Sequence, residues 1–229
     1  MEAAKPDNEA ERLAALRAYR VLDTAAETAY DDVVRLASFV CGAPIAVVSL
    51  VDADRQWFKA KVGVAMTETP REVAFCAHAV LGGETLVVED ARSDPRFADN
   101  PLVTADPYVR FYAGAPLVDA AGHGLGSLCV VDRTPRRLTA DQLAALAALS
   151  RQVVALLECR RTADQLATAL DHVDTLSGLL PVCAWCKAVR NDAGYWQQVE
   201  QYLTDHTAVT ATHGICPACD ARMRAESGL

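Results

Sequence analysis

A long run without glycine or proline, from Thr139 to Ser177, is the feature that most constrains how this chain can fold. These two residues most often end helices, so the run predicts one continuous helix over residues 139–177. Eight positions in the run, spaced alternately by three and four residues, hold seven apolar side chains. They are Leu149, Gln152, Leu156, Cys159, Ala163, Leu166, Leu170 and Val173. The pattern favours a parallel coiled coil, and hence a homodimer, over a helix that folds back on its own domain.

The residues before this helix alternate between short helical and short strand patterns. Strands are predicted over residues 45–52, 55–62, 86–88, 109–118 and 125–132, and helices over 8–22, 28–41 and 73–81. The two pairs of neighbouring strands indicate antiparallel hairpins, and the strand–helix alternation of a doubly wound fold is absent. The pattern therefore predicts an α+β fold in which helices pack on an antiparallel sheet.

Composition and charge exclude several classes of protein. The formal net charge is −8 and no basic run occurs, which argues against nucleic-acid binding. No run approaches the roughly 20 apolar residues of a membrane-spanning helix, so no membrane partner is expected. Residues 1–20 lack the apolar core of a signal peptide, which predicts a cytoplasmic protein. Because cytoplasmic thiols stay reduced, the eight cysteines are interpreted as core residues, metal ligands or redox groups.

Four of the cysteines form two closely spaced pairs near the end of the chain. Cys183 with Cys186, and Cys216 with Cys219, each follow the Cys-x2-Cys spacing of a metal-binding turn. Four thiolates suit tetrahedral zinc, which would stabilise a segment too poor in large apolar residues to fold alone. The sequence therefore predicts a structural zinc site in a small zinc-ribbon-like tail, with His213 near the thiolates or as an alternate ligand. A redox dithiol and an iron site are the alternatives.

Several separated blocks carry a resemblance to a known family. They are DRQWFKA (54–60), ETPR (68–71), FCAHAV (75–80), RFADNPLV (96–103), RFYAGAPL (110–117) and GSLCVVD (126–132). Together they resemble the GAF domains of bacterial sensor kinases and cyclic-dinucleotide regulators, over about residues 8–161. The resemblance implies an antiparallel sheet, helices on one face, a ligand pocket at the other, and dimerisation through terminal helices. It leaves the ligand open, because GAF domains serve many.

Six residues are candidates for the implied pocket or its rim. They are Trp57, Phe75, Cys76, His78, Arg110 and Tyr112. Cys76 and His78 lie two residues apart on a predicted helix and so point in different directions, which argues against a metal shared by the two. Cys41 and Cys129 are interpreted as inert buried thiols.

These patterns predict a cytoplasmic signal-transduction sensor that binds a small molecule and is not an enzyme. The predicted parts are a disordered N-terminus (1–7), a sensor domain (8–138), a helical linker (139–177), a four-cysteine zinc module (178–224) and a disordered tail (225–229). The tail blocks around Trp185, residues 194–198 and residues 212–215 resemble a cysteine-rich module that follows bacterial sensory domains, and a signalling protein is its expected partner. His172 is interpreted as an exposed helical residue. The alternative function is a thiol-based redox enzyme or switch, similar to methionine sulfoxide reductases, that uses Cys76 or the paired cysteines.

Overall fold

A computed structural model describes residues 3–177, 181–191, 193–206, 212 and 214–227. The chain divides into two compact units, residues 1–166 and residues 167–229. The boundary falls within the long helix that the sequence predicts over residues 139–177.

The first unit is built on one antiparallel sheet. Its strands are β1 (Ile45–Val51), β2 (Arg55–Val62), β3 (Glu68–Pro70), β4 (Leu86–Val88), β5 (Phe111–Val118) and β6 (Gly124–Asp132). They are arranged in the order β3-β2-β1-β6-β5-β4, with β1 and β6 at the centre. The sheet and its helices confirm the predicted α+β fold, although the short strand β3 was not predicted.

Five helices begin in the first unit. They are α1 (Glu9–Ala18), α2 (Thr28–Cys41), α3 (Phe75–Gly82), α4 (Pro101–Thr104) and α5 (Ala140–Ser177). Helix α2 has the predicted bounds, and it ends because Gly42 adopts the left-handed conformation with φ 62°.

Helices cover both faces of the sheet and create two cores. All seven residues of β1 are buried, and their side chains alternate between the two faces. The first core lies under α1, α2 and the start of α5, and includes Leu16, Tyr30, Val34, Ala46, Val48, Leu50, Leu146, Val153 and Leu157. The second core lies under α3, and includes Ile45, Val47, Val51, Phe75, Cys76, Phe97, Tyr112 and Cys129.

The buried stripe of helix α5 only partly overlaps the predicted coiled-coil seam, since the seam residues Leu149 and Leu156 are half-buried against the first core. Leu146, Val153 and Leu157 are fully buried in the first core. Leu166 and Leu170, both in the predicted seam, keep 60% and 56% of their surface exposed. The first turns of α5 therefore cover the sheet, whereas Leu166 and Leu170 are largely exposed within the described part of the chain.

By length and composition alone, residues 140–170 of α5 could cross a membrane. This is weak evidence, because Leu146, Val153 and Leu157 pack into the first core. Arg151 and Arg160 also interrupt the apolar sequence of the same helix. These features are typical of a helix that belongs to a folded domain.

The second unit contains small elements after α5. They are β7 (Val189–Arg190), β8 (Trp196–Gln197), α6 (Val199–His206) and α7 (Pro217–Ser227). Strands β7 and β8 pair antiparallel. Helix α7 includes residues 225–227, which the sequence analysis assigned to a disordered tail.

Candidate functional site

A cavity of about 60 Å³ lies on the α3 side of the sheet, within the second core. Half-buried side chains such as Val64, Met66 and Leu102 form part of its lining, so the cavity reaches the surface there. Its full lining is Ile45, Val47, Gln56, Phe58, Val64, Met66, Thr69, Phe75, Cys76, Leu102, Pro107, Val109, Tyr112, Cys129 and Val131. No Asp, Glu, Lys or Arg lines the cavity, and most of the lining side chains are apolar.

Three of the six predicted pocket residues line this cavity. Phe75 and Tyr112 contact each other with ring centroids 5.2 Å apart, and Cys76 lies beside them. Phe75 also stacks on Phe97 at 4.1 Å, which holds the start of α3 against the sheet.

The other three predicted residues lie outside the cavity. Trp57 is buried in the first core, on the opposite face of the sheet. His78 packs against the edge of the Phe97 ring, with centroids 4.7 Å apart. Arg110 donates hydrogen bonds to the carbonyl oxygens of Val103 (2.8 Å) and Val109 (3.0 Å), so its guanidinium braces a loop.

Two polar residues in the cavity were missed by the sequence analysis. Gln56 on β2 pairs with Thr69 on β3, and each side chain is only 7% exposed. Gln56 Oε1 and Thr69 Oγ1 are buried without a hydrogen-bond partner. An unpaired buried polar atom destabilises a fold by about 1–3 kcal/mol, so such an atom calls for a partner such as a water molecule or a ligand. The position of the polar residue Gln56 among the apolar residues of β2 could have indicated the site. Its partner Thr69 was missed because strand β3 was not predicted.

A cluster of polar side chains forms one wall of the cavity. Cys76 Sγ lies 3.7 Å from Cys129 Sγ, and the Tyr112 hydroxyl donates a 3.4 Å hydrogen bond to Cys76 Sγ. The same hydroxyl lies 3.3 Å from Ser127 Oγ. Cys129, interpreted from the sequence as an inert core thiol, thus faces a second thiol.

The hydrogen bonds in this cluster shift the pKa values of the two thiols in opposite directions. Burial raises the pKa of Cys76, but hydrogen bonding with Cys129, Ser127 and Tyr112 outweighs it and lowers that pKa to about 6. The hydrogen bond to Cys76, together with burial, raises the pKa of Cys129. Burial raises the pKa of Tyr112 too, and the nearby thiolates add to the effect. The direction of these shifts makes Cys76 the more acidic of the two thiols.

A chain of polar contacts connects β2 to helix α5. Phe58 lines the cavity, and the next residue, Lys59, is fully buried and donates a 2.6 Å hydrogen bond to Glu27 Oε1. Arg160 of α5 donates to the same carboxylate oxygen. One carboxylate thus joins the strand beside the cavity to the long helix.

The paired cysteines have the local geometry of metal-binding turns. Backbone amides of Trp185, Cys186 and Lys187 hydrogen-bond to Cys183 and lower its pKa. The amides of Cys219 and Ala218 do the same for Cys216. Among the residues that the structure describes, however, no three His, Cys, Asp or Glu side chains are grouped closely enough to hold a metal ion.

The four-cysteine zinc site therefore stays a prediction. His213 lies outside the described residues, and so does the side chain of His172.

The fold and the cavity define a class of α+β domains in which an antiparallel sheet and short helices flank a cavity. The model of the GAF domain family matches residues 25–157, more than half of the chain. The chain belongs to the GAF domain family, as its sequence blocks predict.

One curated relative is a cyclic di-GMP phosphodiesterase of Pseudomonas aeruginosa. It is 41% identical over 175 residues, which make up 76% of this chain and 29% of the relative. The chain thus spans less than a third of that relative's length. The match supports a signalling protein.

Solved structures confirm the fold alone. The blue-light-absorbing PixJ GAF domain of Thermosynechococcus elongatus matches with a TM-score of 0.53 and 18% identity, over 63% of this chain and 92% of that one. A GAF domain of a Coxiella burnetii phosphoenolpyruvate-protein phosphotransferase matches with a TM-score of 0.52 and 16% identity, over 69% of this chain and 97% of that one. The free methionine-R-sulfoxide reductase of Neisseria meningitidis matches with a TM-score of 0.50 and 19% identity, over 71% of this chain and 98% of that one.

These comparisons correct one prediction. The sequence patterns predict that the chain is not an enzyme. A relative at 41% identity is named as a phosphodiesterase, which contradicts that prediction. The prediction relied on the lack of a catalytic motif in the sequence, and such a lack does not exclude an enzyme.

Proposed function

We propose that this chain is the sensory part of a protein in cyclic di-GMP signalling, and that its GAF cavity binds a small neutral molecule. The family match and the named phosphodiesterase relative support the signalling role. Ligand binding is proposed to shift the population between two arrangements of β2 and α5, which the rest of the signalling protein then detects.

The observation that carries this proposal is the pair of unpartnered polar atoms in the cavity. Gln56 and Thr69 are paired across β2 and β3, and their Oε1 and Oγ1 atoms have no hydrogen-bond partner among the described residues. A ligand that donates to Gln56 and bonds to Thr69 would remove the cost of burying them. Two such atoms in a cavity lined mostly by apolar side chains fit the usual design of a small-molecule site.

The lining also indicates the chemical class of the ligand. No Arg or Lys lines the cavity, so no cation would balance the phosphates of a cyclic dinucleotide. A volume of about 60 Å³ is far smaller than such a molecule. An engineered cavity of about 150 Å³ accommodates benzene, so the ligand is a compact neutral molecule, with some opening of the cavity if it contains a ring.

A fully buried ammonium explains how binding could reach the helix. Lys59 also donates to Thr24 Oγ1 (2.8 Å) and to the Ala25 carbonyl (2.7 Å), so its position on β2 is tightly held. A ligand that moves Gln56 and Phe58 must move Lys59, because all three lie on the same short strand. Glu27 then passes the movement to Arg160.

Phenol and benzoate provide a matched test of ligand binding, measured by saturation-transfer NMR. We expect transfer to neutral phenol and none to anionic benzoate. Gln56→Leu and Thr69→Val should abolish transfer to phenol, whereas Thr67→Val, on an exposed neighbouring residue, should not. The two cavity variants should also be more stable than the parent by about 1 kcal/mol, because each removes an unpaired buried polar atom. Equal transfer to both probes, or to all variants, would sink the proposal.

Hydrogen exchange tests the connection to the helix. Phenol should change amide exchange in residues 140–166 of the parent protein. Glu27→Gln should keep phenol binding and lose that change, because it breaks the link between Lys59 and Arg160. An unchanged response in Glu27→Gln would contradict this route.

A second candidate function, a thiol-based reductase, is favoured by the contact between Cys76 and Cys129. Reduction of free methionine sulfoxide would oxidise the two thiols to a disulfide and release methionine and water. With dithiothreitol as reductant, the full chain should then form methionine, and Cys76→Ser should not. No methionine above the blank would remove this candidate.

The zinc site is proposed for the second unit. Cys183, Cys186, Cys216 and Cys219 would hold one ion, and amide hydrogen bonds within each turn would stabilise its thiolates. Zinc, when bound, would supply structural stability to a segment with little apolar core.

Metal analysis of protein purified without chelator tests this site. One zinc per chain is expected, with loss in Cys183→Ser and in Cys216→Ser. Cys159→Ser, an exposed cysteine of α5, is the matched control and should keep the metal. A metal-free parent protein, or iron in place of zinc, would overturn the assignment.

A further inference from the structure

The contact between Cys76 and Cys129 has no role in the ligand-binding function proposed above. The two thiols come from different elements, α3 and β6, and they are separated by 53 positions in the chain. Both are buried, at 1% and 3% exposure, yet both line the cavity that reaches the surface. A small reagent inside the cavity would therefore meet both sulfur atoms.

We propose that Cys76 and Cys129 form a reversible disulfide when a hydroperoxide enters the cavity. The sulfur atoms are 3.7 Å apart and must approach to about 2.05 Å. Rotation of a cysteine side chain about χ1 moves its sulfur by more than this difference, so the sheet can keep its register. The modification would convert two lining thiols into one rigid crosslink between α3 and β6.

The chemistry assigns one role to each thiol. The sulfur of Cys76 attacks the distal oxygen of the hydroperoxide, an S–O bond forms, the O–O bond breaks, and the alcohol leaves with the proton of Cys76. The sulfur of Cys129 then attacks Cys76, the S–S bond forms, and the hydroxyl leaves as water with the proton of Cys129. Overall, two thiols lose two electrons to one hydroperoxide, which yields a disulfide, an alcohol and water.

The surroundings of Cys76 favour it as the attacking atom. The Tyr112 hydroxyl and the Cys129 thiol both lie within hydrogen-bonding distance of its sulfur. Cys76 also occupies the first turn of α3, where the helix dipole stabilises a thiolate. Cys41 offers the contrast, because it is equally buried but lies in the first core, and burial raises its pKa.

Disulfide mapping of the full chain tests the proposal. The protein is treated with hydrogen peroxide, its free thiols are blocked with N-ethylmaleimide in denaturant, and non-reduced peptides are analysed by mass spectrometry. We expect a linked pair of peptides that contain Cys76 and Cys129, and its loss after dithiothreitol. Cys41 should remain a free thiol, and so react with N-ethylmaleimide, even at peroxide concentrations about tenfold higher than those that link Cys76 to Cys129.

Variants separate the two roles. In Cys129→Ser the sulfenic acid of Cys76 should accumulate and be trapped by dimedone, and Cys76→Ser should give neither product. Cys41→Ser, the matched control, should form the disulfide as the parent does. Circular dichroism shows whether the Cys129→Ser variant folds. If it does not, Cys129→Ala replaces it in the same experiment.

Two outcomes would overturn the proposal. One is that both thiols of the oxidised parent are still blocked by N-ethylmaleimide. The other is that Cys76 is linked to a cysteine other than Cys129. The mapping uses no ligand, so a failure of phenol binding in the reduced protein would refute the sensor proposal and leave this result unaffected.

Discussion

The buried cation Arg12 shows what a single residue contributes to this fold. Its guanidinium donates to the carbonyl oxygens of Val51 (2.8 Å) and Gly124 (3.2 Å), at the ends of two central strands. Glu9 accepts from it at 2.7 and 2.9 Å and also from Arg71. The charge is stable in the interior because every partner is a fixed oxygen.

Glu9→Gln should destabilise the protein in a pH-dependent way. Burial raises the pKa of Glu9, but hydrogen bonds from Arg12 and Arg71 outweigh it and lower the pKa from 4.5 to about 2. A lowered pKa stabilises the fold above pH 4.5, and the stabilisation is lost as the pH falls toward 2. After allowance for solvent screening, the loss at pH 7 should be on the order of 2 kcal/mol.

Urea unfolding at pH 7, 4.5 and 3 measures this effect. The gap between parent and Glu9→Gln should be largest at pH 7 and shrink with acid. Glu11→Gln, on the exposed side of the same helix, is the control and should change stability little. A gap that does not vary with pH would contradict the prediction.

At the scale of elements, strand β5 positions the cluster around Cys76. Tyr112 and Gly114 lie two residues apart and so share one face of the strand. A Cβ atom at Gly114 would lie 2.0 Å from the Tyr112 hydroxyl oxygen, so the Tyr112 side chain uses the space that glycine leaves. The missing side chain at Gly114 thus allows the hydrogen bond to Cys76.

Gly114→Ala should therefore displace Tyr112 from Cys76. We expect a loss of stability of about 1–3 kcal/mol from overpacking, measured by urea unfolding. Removal of the hydrogen bond should raise the pKa of Cys76, and alkylation of Cys76 by iodoacetamide at pH 7 should slow. Gly82→Ala, where no atom lies within 4 Å of a new Cβ, is the control for both readouts. Unchanged stability and alkylation in Gly114→Ala would show that the tyrosine does not depend on this space.

At the scale of the whole molecule, the exposed seam of α5 bears on assembly. Leu166 and Leu170 project 60% and 56% of their surface to solvent, one helical turn apart. Exposed leucines in a heptad pattern are typical of a helix that pairs with another copy.

Leu166→Glu with Leu170→Glu should convert a dimer to a monomer. Light scattering coupled to size-exclusion chromatography should give the parent a mass of twice the 24.6 kDa of one chain, and the double variant the mass of a single chain. Gln165→Glu, an exposed neighbour outside the seam, should keep the dimer. A monomeric parent would remove the coiled-coil prediction.

Local patterns predicted most of the elements but only part of the candidate site. Helix α2 and the hairpin of β5 and β6 were predicted from periodicity and turn residues, because the determining residues are near neighbours in the chain. Strand β3 has three residues, too few for a periodic signal, so it was not predicted. Without β3, Thr69 could not be recognised as the partner of Gln56.

The sequence by itself determined the α+β class, the long helix and the GAF family, since each depends on spacing or on short motifs. The tertiary structure decided which residues share the cavity. Trp57 and Gln56 are adjacent in the chain, yet the pleat of β2 directs them to opposite faces of the sheet. Cys76 and Cys129 meet only because strand register and the position of α3 align them across 53 residues, and such long-range packing leaves no local trace in the sequence.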